Sequence, residues 1–171
     1  LIKLRSLNYS GYCWGYNFDW DARYAKIDAY VPTVVATGII TNSLYEYYRI
    51  FNDKRIIEIL DSAALFIIKD LNRTYENNTF CFSYSPLDTQ KVYNATMKAA
   101  RLLAQAYSLT GKKQYIDEAK KTVQFVVNNQ ESDGSWWYSK GDSRTWIDNF
   151  HTGYVLDCLD EYMKLSGDND Y

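Results

Sequence analysis

The feature that most constrains the fold is the spacing of apolar side chains at three- and four-residue intervals, which places them on one face of a helix. The spacing is clearest from residue 54 to 71, where the apolar positions are Ile56, Ile59, Leu60, Ala63, Ala64, Ile67 and Leu71. Similar patterns predict four further helices, over residues 32–50, 92–108, 113–128 and 149–166. The sequence therefore predicts an all-α fold.

The predicted helices are separated alternately by short turns and by long aromatic loops. The turns contain Asn52, Gly111 and Gly167 and recur about every 60 residues, the length of two helices with their loops. The loops repeat the triplets Trp14-Gly15-Tyr16, Phe82-Ser83-Tyr84 and Trp136-Trp137-Tyr138. Stacked helical hairpins of this kind form a solenoid or an α/α toroid. We expect a partial α/α toroid, because aromatic loops that all enter the inner helices share one face.

Two stretches lack the helical pattern. Residues 1–31 fit neither helix nor strand periodicity, and Phe80–Pro86 alternates like a short strand or an extended loop. Pro32 is expected in the first turn of the first helix, where its missing N–H costs nothing. The chain begins with Leu1 and ends at Tyr171, where a new helix should begin. We therefore expect residues 1–171 to form a single domain, a fragment with about two and a half hairpins of a larger toroid.

Composition excludes several classes of partner. Nineteen basic and 21 acidic residues give a net charge of −2 without a basic stripe, so no nucleic-acid partner is expected. No apolar run approaches the roughly 20 residues of a membrane span. Cys13, Cys81 and Cys158 are scattered and lack metal-ligand spacing, which favours a reducing, cytoplasmic compartment with no metal or cofactor.

Aromatic residues make up 17% of the chain and are concentrated in the loops. Sugar rings stack their C–H faces on aromatic side chains, while nearby carboxylates bind the hydroxyl groups. The candidate substrate-binding residues are Trp14, Tyr16, Asp21, Tyr84, Asp133, Trp136, Trp137, Tyr138 and Trp146. The alternative is that these aromatic residues wedge between helices and only stabilise the fold.

Candidate catalytic groups are found at the start of the fifth predicted helix. Asp148 is placed to cap this helix, or to act as a general acid or base. His151, the single histidine, could carry a proton or donate a hydrogen bond to a sugar. Asp88 is a candidate second carboxylate, since glycoside hydrolysis needs two carboxyls about 5–5.5 Å or 6.5–9.5 Å apart.

Several motifs together carry a family resemblance. They are Pro32–Gly38, Phe82–Pro86, Tyr93-Asn94-Ala95, Asp133–Trp136 and Trp146–Gly153, of which the last is the most specific. Over residues 11–171 the chain resembles the α/α-toroid proteins encoded in capsule and exopolysaccharide gene clusters. The wider group includes six-hairpin glycosidases, polysaccharide lyases and sugar epimerases. The resemblance implies a carbohydrate-active or carbohydrate-binding protein of surface polysaccharide biosynthesis, with an oligo- or polysaccharide as its partner.

Two other functions stay open. The first is a non-catalytic module that binds a glycan or a protein. The second is an isoprenoid cyclase or prenyltransferase, because Gln130 with Gly134-Ser135-Trp136 fits a repeat motif of squalene-type cyclases, although their acidic motifs are missing. An open half-toroid would expose apolar inner faces, so we also expect a homodimer or association with the remainder of a toroid.

Overall fold

A computed structural model describes residues 1–22 and 25–171, and helices dominate it. In the described residues there are five α-helices: α1 Val34–Phe51, α2 Arg55–Asp70, α3 Tyr93–Thr110, α4 Lys113–Val127 and α5 Asn149–Ser166. Their ends lie within two residues of the predicted bounds. The mostly helical prediction is therefore confirmed. None of the helices described is both long and apolar enough to span a membrane.

Four short strands correct the all-α prediction. Strand β1 (Trp20–Ala22) pairs with β2 (Ala25–Ile27), and β3 (Arg73–Glu76) pairs with β4 (Thr79–Phe82), both antiparallel. The second hairpin resolves the Phe80–Pro86 alternation, because the strand extends to Phe82 and a loop follows it. A 3₁₀ turn, Ile2–Leu4, also lies in the stretch expected to be irregular. Residues 23 and 24 of that stretch lie outside the described residues.

The ends of the helices are determined by short-range hydrogen bonds. Thr33 is the N-cap of α1 and accepts a hydrogen bond from the Ala36 N–H at 3.0 Å, so Pro32 lies before the cap and not in the first turn as predicted. At the other ends, the residues after α1, α3 and α5 have a left-handed backbone, with φ of 53° at Asn52, 69° at Gly111 and 73° at Gly167. A glycine or asparagine at this position relieves strain that other side chains would meet.

The helices form two layers around α3, whose side chains are buried from Tyr93 to Ala106. Gln105 of α3 donates to Asn42 of α1 at 2.8 Å and lies 3.4 Å from Glu161 of α5, so these three helices share one layer. In the second layer, Tyr115 of α4 donates to Asp61 of α2 at 2.7 Å. This layering brings the N-terminal ends of α1, α3 and α5 to the same side as the aromatic loops.

Candidate functional site

The aromatic triplets are attached to the first residues of the inner helices by backbone hydrogen bonds. The Thr33 N–H donates to the Trp14 carbonyl at 3.1 Å, and the Val34 N–H donates to the Tyr84 carbonyl at 2.9 Å. The Tyr93 N–H donates to the Tyr138 carbonyl at 3.3 Å. Unpaired N–H groups at helix starts need such acceptors. The loops therefore converge where the inner helices begin.

The first residue of each triplet is part of the core. Trp14, Phe82 and Trp136 are all buried. The Trp14 indole N–H donates to the Leu1 carbonyl at 3.1 Å, and that of Trp136 donates to the Val126 carbonyl at 2.9 Å. This geometry does not support the expectation that Trp14 and Trp136 bind substrate, because neither ring presents a face to solvent.

The third residues of the triplets are Tyr16, Tyr84 and Tyr138, and the phenols of Tyr16 and Tyr138 lie near that of Tyr84. Tyr84 is only 8% exposed. Burial raises the pKa of Tyr84, and the nearby phenols of Tyr138 and Tyr16 raise it further. Burial is also the main cause that raises the pKa of Tyr138. The hydroxyl groups of Tyr84 and Tyr138 are therefore protonated at neutral pH and can donate hydrogen bonds or protons.

One group of stacked rings surrounds Tyr84. Tyr16 stacks on Phe18 with ring centroids 5.3 Å apart, and Trp20 stacks on Tyr84 at 6.2 Å with an interplanar angle of 17°. Tyr16 and Trp20 are also 6.2 Å apart, which joins the two pairs. Sequence reasoning missed Phe18 and Trp20, although both lie in the aromatic N-terminal stretch.

A second group of rings surrounds Tyr138. Trp146 stacks on Tyr138 with centroids 4.8 Å apart, and the His151 ring meets Tyr138 edge to face at 4.6 Å. Trp146 is 44% exposed, so one face of this group is open to a ligand. Trp137 is also exposed, but it pairs with no aromatic ring in the part of the chain that the structure describes.

Asp148 both caps α5 and holds the histidine. One carboxylate oxygen accepts the His151 backbone N–H at 2.9 Å, and the other lies 2.5 Å from His151 Nδ1. Burial raises the pKa of Asp148, but its hydrogen bonds with His151 outweigh burial, and the net pKa falls below the usual value. An ionised Asp148 places the proton on Nδ1, so Nε2 of the neutral ring is a proton acceptor.

Arg144 joins the second and third loops and was missed by sequence reasoning. Its Nη2 donates to Asp142 Oδ2 at 2.6 Å, and its Nη1 donates to Gln90 Oε1 at 2.7 Å. The guanidinium carbon also lies 5.4 Å from the centroid of the Tyr138 ring. Hydrogen bonding from Arg144 is the largest cause that lowers the pKa of Asp142. The charge-assisted bonds to Asp142 therefore fix the guanidinium beside the Tyr138 ring.

Asp88 is occupied by its own loop. Its two oxygens accept hydrogen bonds from the backbone of Tyr84, Ser85 and Gln90 and from the Ser85 hydroxyl, at 2.6–3.1 Å. These bonds hold the backbone of Tyr84 in place. The predicted catalytic role of Asp88 is not supported by this geometry, because all of these contacts organise the loop.

Asp133 and Asp21 belong to the aromatic loops but lie outside the two ring groups. Asp133 accepts two hydrogen bonds from Ser135, which lower its pKa, and it lines an open cavity of about 400 Å³ beside Asp148 and Leu156. Asp21 is exposed on β1, opposite Lys26 of β2. Among the hydrogen bonds of the described residues, neither carboxylate contacts the tyrosines or His151.

No group of three His, Cys, Asp or Glu side chains among residues 1–22 and 25–171 could hold a metal ion. The three cysteines are free and buried. Burial raises the pKa of both Cys13 and Cys81 to about 12. Their thiols are therefore protonated and unreactive at neutral pH.

Comparison with known proteins relates part of the chain to an epimerase family model. Residues 93–159 match the family model described as D-glucuronyl C5-epimerase C-terminus. The match is shorter than half of the chain, but it contains α3, α4, the third aromatic loop and the first half of α5. Tyr138, Arg144, Trp146, Asp148 and His151 therefore all lie inside it.

A solved structure supports the same relation at the level of the fold. The crystal structure of a sugar epimerase from a ruminal bacterium superposes with a TM-score of 0.69 and 14% identity over 97% of this chain. The chain shares the fold of a sugar epimerase. It spans 46% of the length of that epimerase chain. A search of curated proteins gave no match.

Proposed function

We propose that the chain contributes the site of an epimerase-type carbohydrate-active protein that inverts C5 of a uronic acid residue in a polysaccharide. The observation that carries the proposal is the group formed by Tyr138, Trp146, Asp148 and His151, which lies inside the segment similar to the C5-epimerase model. A setting in surface polysaccharide biosynthesis rests on the resemblance of the sequence motifs and is part of the proposal.

Inversion at C5 needs a proton acceptor and a proton donor on opposite faces of the sugar ring. The C5 hydrogen of a uronic acid is α to the carboxyl carbon, so its removal leaves negative charge that spreads onto the carboxylate. A proton returned from the other face gives the C5 epimer, with no net gain or loss of atoms. Acid and base groups placed for such transfers accelerate them by about 10²–10⁴-fold.

His151 is the proton acceptor in this proposal. Asp148 holds Nδ1 and thereby leaves Nε2 as the basic nitrogen. The same carboxylate caps α5, so the ring is fixed to the start of a rigid helix. The His151 ring also packs against Tyr138, and both lie beside the exposed Trp146. A sugar that stacks on Trp146 would therefore lie next to the base.

Tyr84 is the proton donor. Tyr84 stacks on Trp20, whereas His151 contacts Tyr138, so donor and acceptor pack against different rings. The Tyr138 phenol is close enough to Tyr84 to raise its pKa, which keeps both groups within one site. Its raised pKa keeps the hydroxyl protonated until a strong base, such as the C5 carbanion, forms near it. The Asp88 loop holds Tyr84 in position, which accounts for the many hydrogen bonds of that carboxylate.

We further propose that the helices are hairpin repeats of an α/α toroid. The left-handed caps at Asn52, Gly111 and Gly167 each donate to the carbonyl of the residue four positions earlier, which supports an equivalent role in three repeats. The chain would then form about two and a half hairpins, and residues across the central cavity would come from further hairpins or from a second copy.

Hydrogen exchange at C5 tests the reaction. A glucuronate-containing oligosaccharide is incubated with the chain in D₂O, and loss of the C5 proton signal is followed by NMR. We expect exchange with the unaltered chain and at least about a 100-fold lower rate for His151→Gln, because the acceptor nitrogen is lost. The control is Asp117→Asn, which alters an exposed carboxylate on α4, outside the aromatic loops, and should exchange normally.

Binding without exchange would contradict the epimerase proposal and would favour the non-catalytic glycan-binding module. Equal exchange rates for the unaltered chain and His151→Gln would remove His151 from the mechanism while keeping the reaction. Thermal unfolding of each variant shows whether a lost rate reflects the lost group or a lost fold.

A further inference from the structure

Helix α3 carries a buried polar stripe that the proposed reaction does not use. The stripe consists of Asn94, Lys98, Arg101 and Gln105, which follow one another at four-, three- and four-residue intervals and so share one face of the helix. None of the four is more than 5% exposed. Charged and amide groups are rarely buried to this extent unless they are paired.

The two residues farther from the loops have partners across the layer. Arg101 donates to Asp157 of α5 at 2.6 Å, and Gln105 donates to Asn42 of α1 at 2.8 Å. The positive charge of Arg101 is therefore balanced by a carboxylate. One polar atom of each residue, Arg101 Nε and Gln105 Oε1, is nevertheless buried without a hydrogen-bond partner among the described residues.

Lys98 is different, because its ammonium group forms no ion pair among the described residues. Burial lowers the pKa of Lys98, an effect that the nearby Cys158 and Asp157 oppose. It is 1% exposed, yet no carboxylate among the described residues lies within 4.0 Å of its Nζ. The Nζ lies instead 3.8 Å from the centroid of the Tyr154 ring on α5. The opposite side is closed by Gly38 of α1, where even a Cβ atom would come within 2.8 Å of Lys98 Cβ. The fold thus directs an unpaired cation toward α5.

Asn94 carries the unsatisfied group of the stripe that lies closest to the aromatic loops. Its Oδ1 is buried and has no hydrogen-bond partner in the part of the chain that the structure describes. An unsatisfied buried acceptor is costly, and in a binding site its partner is often the ligand. Asn94 precedes Lys98 by one helical turn, so the two groups lie one above the other.

The stripe begins directly beneath the aromatic site. Asn94 follows Tyr93, whose N–H donates to the Tyr138 carbonyl. Tyr154, which covers Lys98, follows His151 by three residues and so lies one turn farther along α5. One helical turn rises by about 5.4 Å. Lys98 is therefore about one turn below the Tyr138–His151 contact, with Asn94 between them.

We propose that Asn94 and Lys98 form the subsite that selects an acidic sugar: Lys98 Nζ pairs with the carboxylate, and Asn94 Oδ1 accepts a hydrogen bond from a sugar hydroxyl. This subsite rests on the proposed function and specifies its substrate class. Arg144, the other buried cation close to the aromatic rings, already holds Asp142 and Gln90. Tyr154 is 41% exposed and covers Lys98 Nζ, so binding of the carboxylate at this subsite requires the Tyr154 ring to turn aside.

Calorimetric titration with two matched oligosaccharides tests the subsite. One contains glucuronate and the other contains glucose, so they differ only in the carboxylate. For Lys98→Met we expect at least about a tenfold weaker affinity for the glucuronate oligosaccharide, as for loss of a buried charge pair, and an unchanged affinity for the glucose oligosaccharide. Asn94→Ala should weaken both affinities by about 3–10-fold, because both sugars carry the hydroxyl.

Lys164→Met is the matched control, because this lysine lies exposed on α5 and pairs with Asp160 on the same helix. We expect it to change neither affinity. Lys98→Met should unfold at the same or a higher temperature than the unaltered chain, since it replaces a buried charge with an apolar side chain of similar length. A higher melting temperature together with a selective loss of glucuronate binding would identify a binding role.

Two results would overturn the subsite. In the first, Lys98→Met binds the glucuronate oligosaccharide as tightly as the unaltered chain. In the second, its affinities for the glucuronate and glucose oligosaccharides fall by the same factor. Failure of the unaltered chain to bind either oligosaccharide would instead overturn the proposed function, and the subsite with it. Binding of glucuronate without hydrogen exchange at C5 would contradict the epimerase chemistry while leaving the subsite supported.

Discussion

Asp148 has two roles that a single substitution can separate. Asparagine caps helices about as well as aspartate, so Asp148→Asn should change the free energy of unfolding by only a few tenths of a kcal/mol. The amide lacks the negative charge that fixes the proton on His151 Nδ1, so we expect C5 exchange to fall at least about tenfold. Chemical unfolding and the exchange rate, measured on the same sample, check both parts.

If Asp148→Asn lost stability and activity together, the carboxylate would be only structural. Asp117→Asn is again the comparison, because Asp117 is exposed on α4 and forms no hydrogen bond with the histidine among the described residues. We expect that variant to keep both its stability and its exchange rate.

The Asp142–Arg144 pair predicts a pH dependence of stability. Its hydrogen bonds lower the pKa of Asp142, so the stabilisation is fully present above the unfolded pKa, near about pH 4, and declines as the pH falls further. Asp142→Asn should cost about 1–2 kcal/mol at pH 7, allowing for partial solvent screening. The difference from the unaltered chain should shrink at pH 3, as measured by urea unfolding. A difference that is independent of pH would contradict the assigned cause.

At the scale of single elements, two glycines test the helix assignments with the same substitution. At Gly111 nothing lies within 4 Å of an added Cβ, but φ is 69°, so Gly111→Ala should destabilise by about 1 kcal/mol through backbone strain alone. Gly153 lies inside α5 and is equally open, so Gly153→Ala should stabilise by about 0.5–1 kcal/mol. Urea unfolding measures the free energy of unfolding of both variants. If both substitutions stabilised the chain, or both destabilised it, the assignment of Gly111 to a helix cap and Gly153 to a helix interior would be contradicted.

The helices and strands differ in how well the sequence predicts them. The five helices follow from apolar spacing and from Gly111 and Gly167 at their ends, so their bounds were predictable. The β1–β2 hairpin was not predicted, because strands of three residues are too short to show a period. The second hairpin was ambiguous because all of Thr79–Phe82 is buried, which removes the contrast between the two faces of a strand.

The candidate site was predictable only in part, because residue type does not give burial. Trp136 and Trp146 lie in one loop, yet the first is in the core and the second is 44% exposed. Asp88 and Asp148 both resemble catalytic carboxylates in the sequence, and only the hydrogen bonds of Asp88 reveal that it organises a loop. Lys98 could not be singled out, since its isolation depends on Gly38 and Tyr154 from two other helices.

At the scale of the whole molecule, exposed apolar side chains on α5 predict association. Phe150 is 75% exposed, and Ile147 and Leu156 lie nearby with about half of their surfaces in solvent. Such a patch commonly marks an interface. We expect the chain to dimerise in sedimentation experiments and the double change Phe150→Ser with Leu156→Glu to give a monomer. A monomeric unaltered chain at high concentration would contradict this expectation.

The most direct test of the carbohydrate site is an NMR titration that follows the five tryptophan indole N–H signals as a glucuronate oligosaccharide is added. Trp146 and Trp20 stack on Tyr138 and Tyr84, so their signals should shift with sugar concentration. The signals of Trp14 and Trp136 should not shift, because their rings are buried and their indole N–H groups donate to backbone carbonyls. If Trp146 and Trp20 remain unchanged at saturating sugar, the aromatic loops do not form a sugar site.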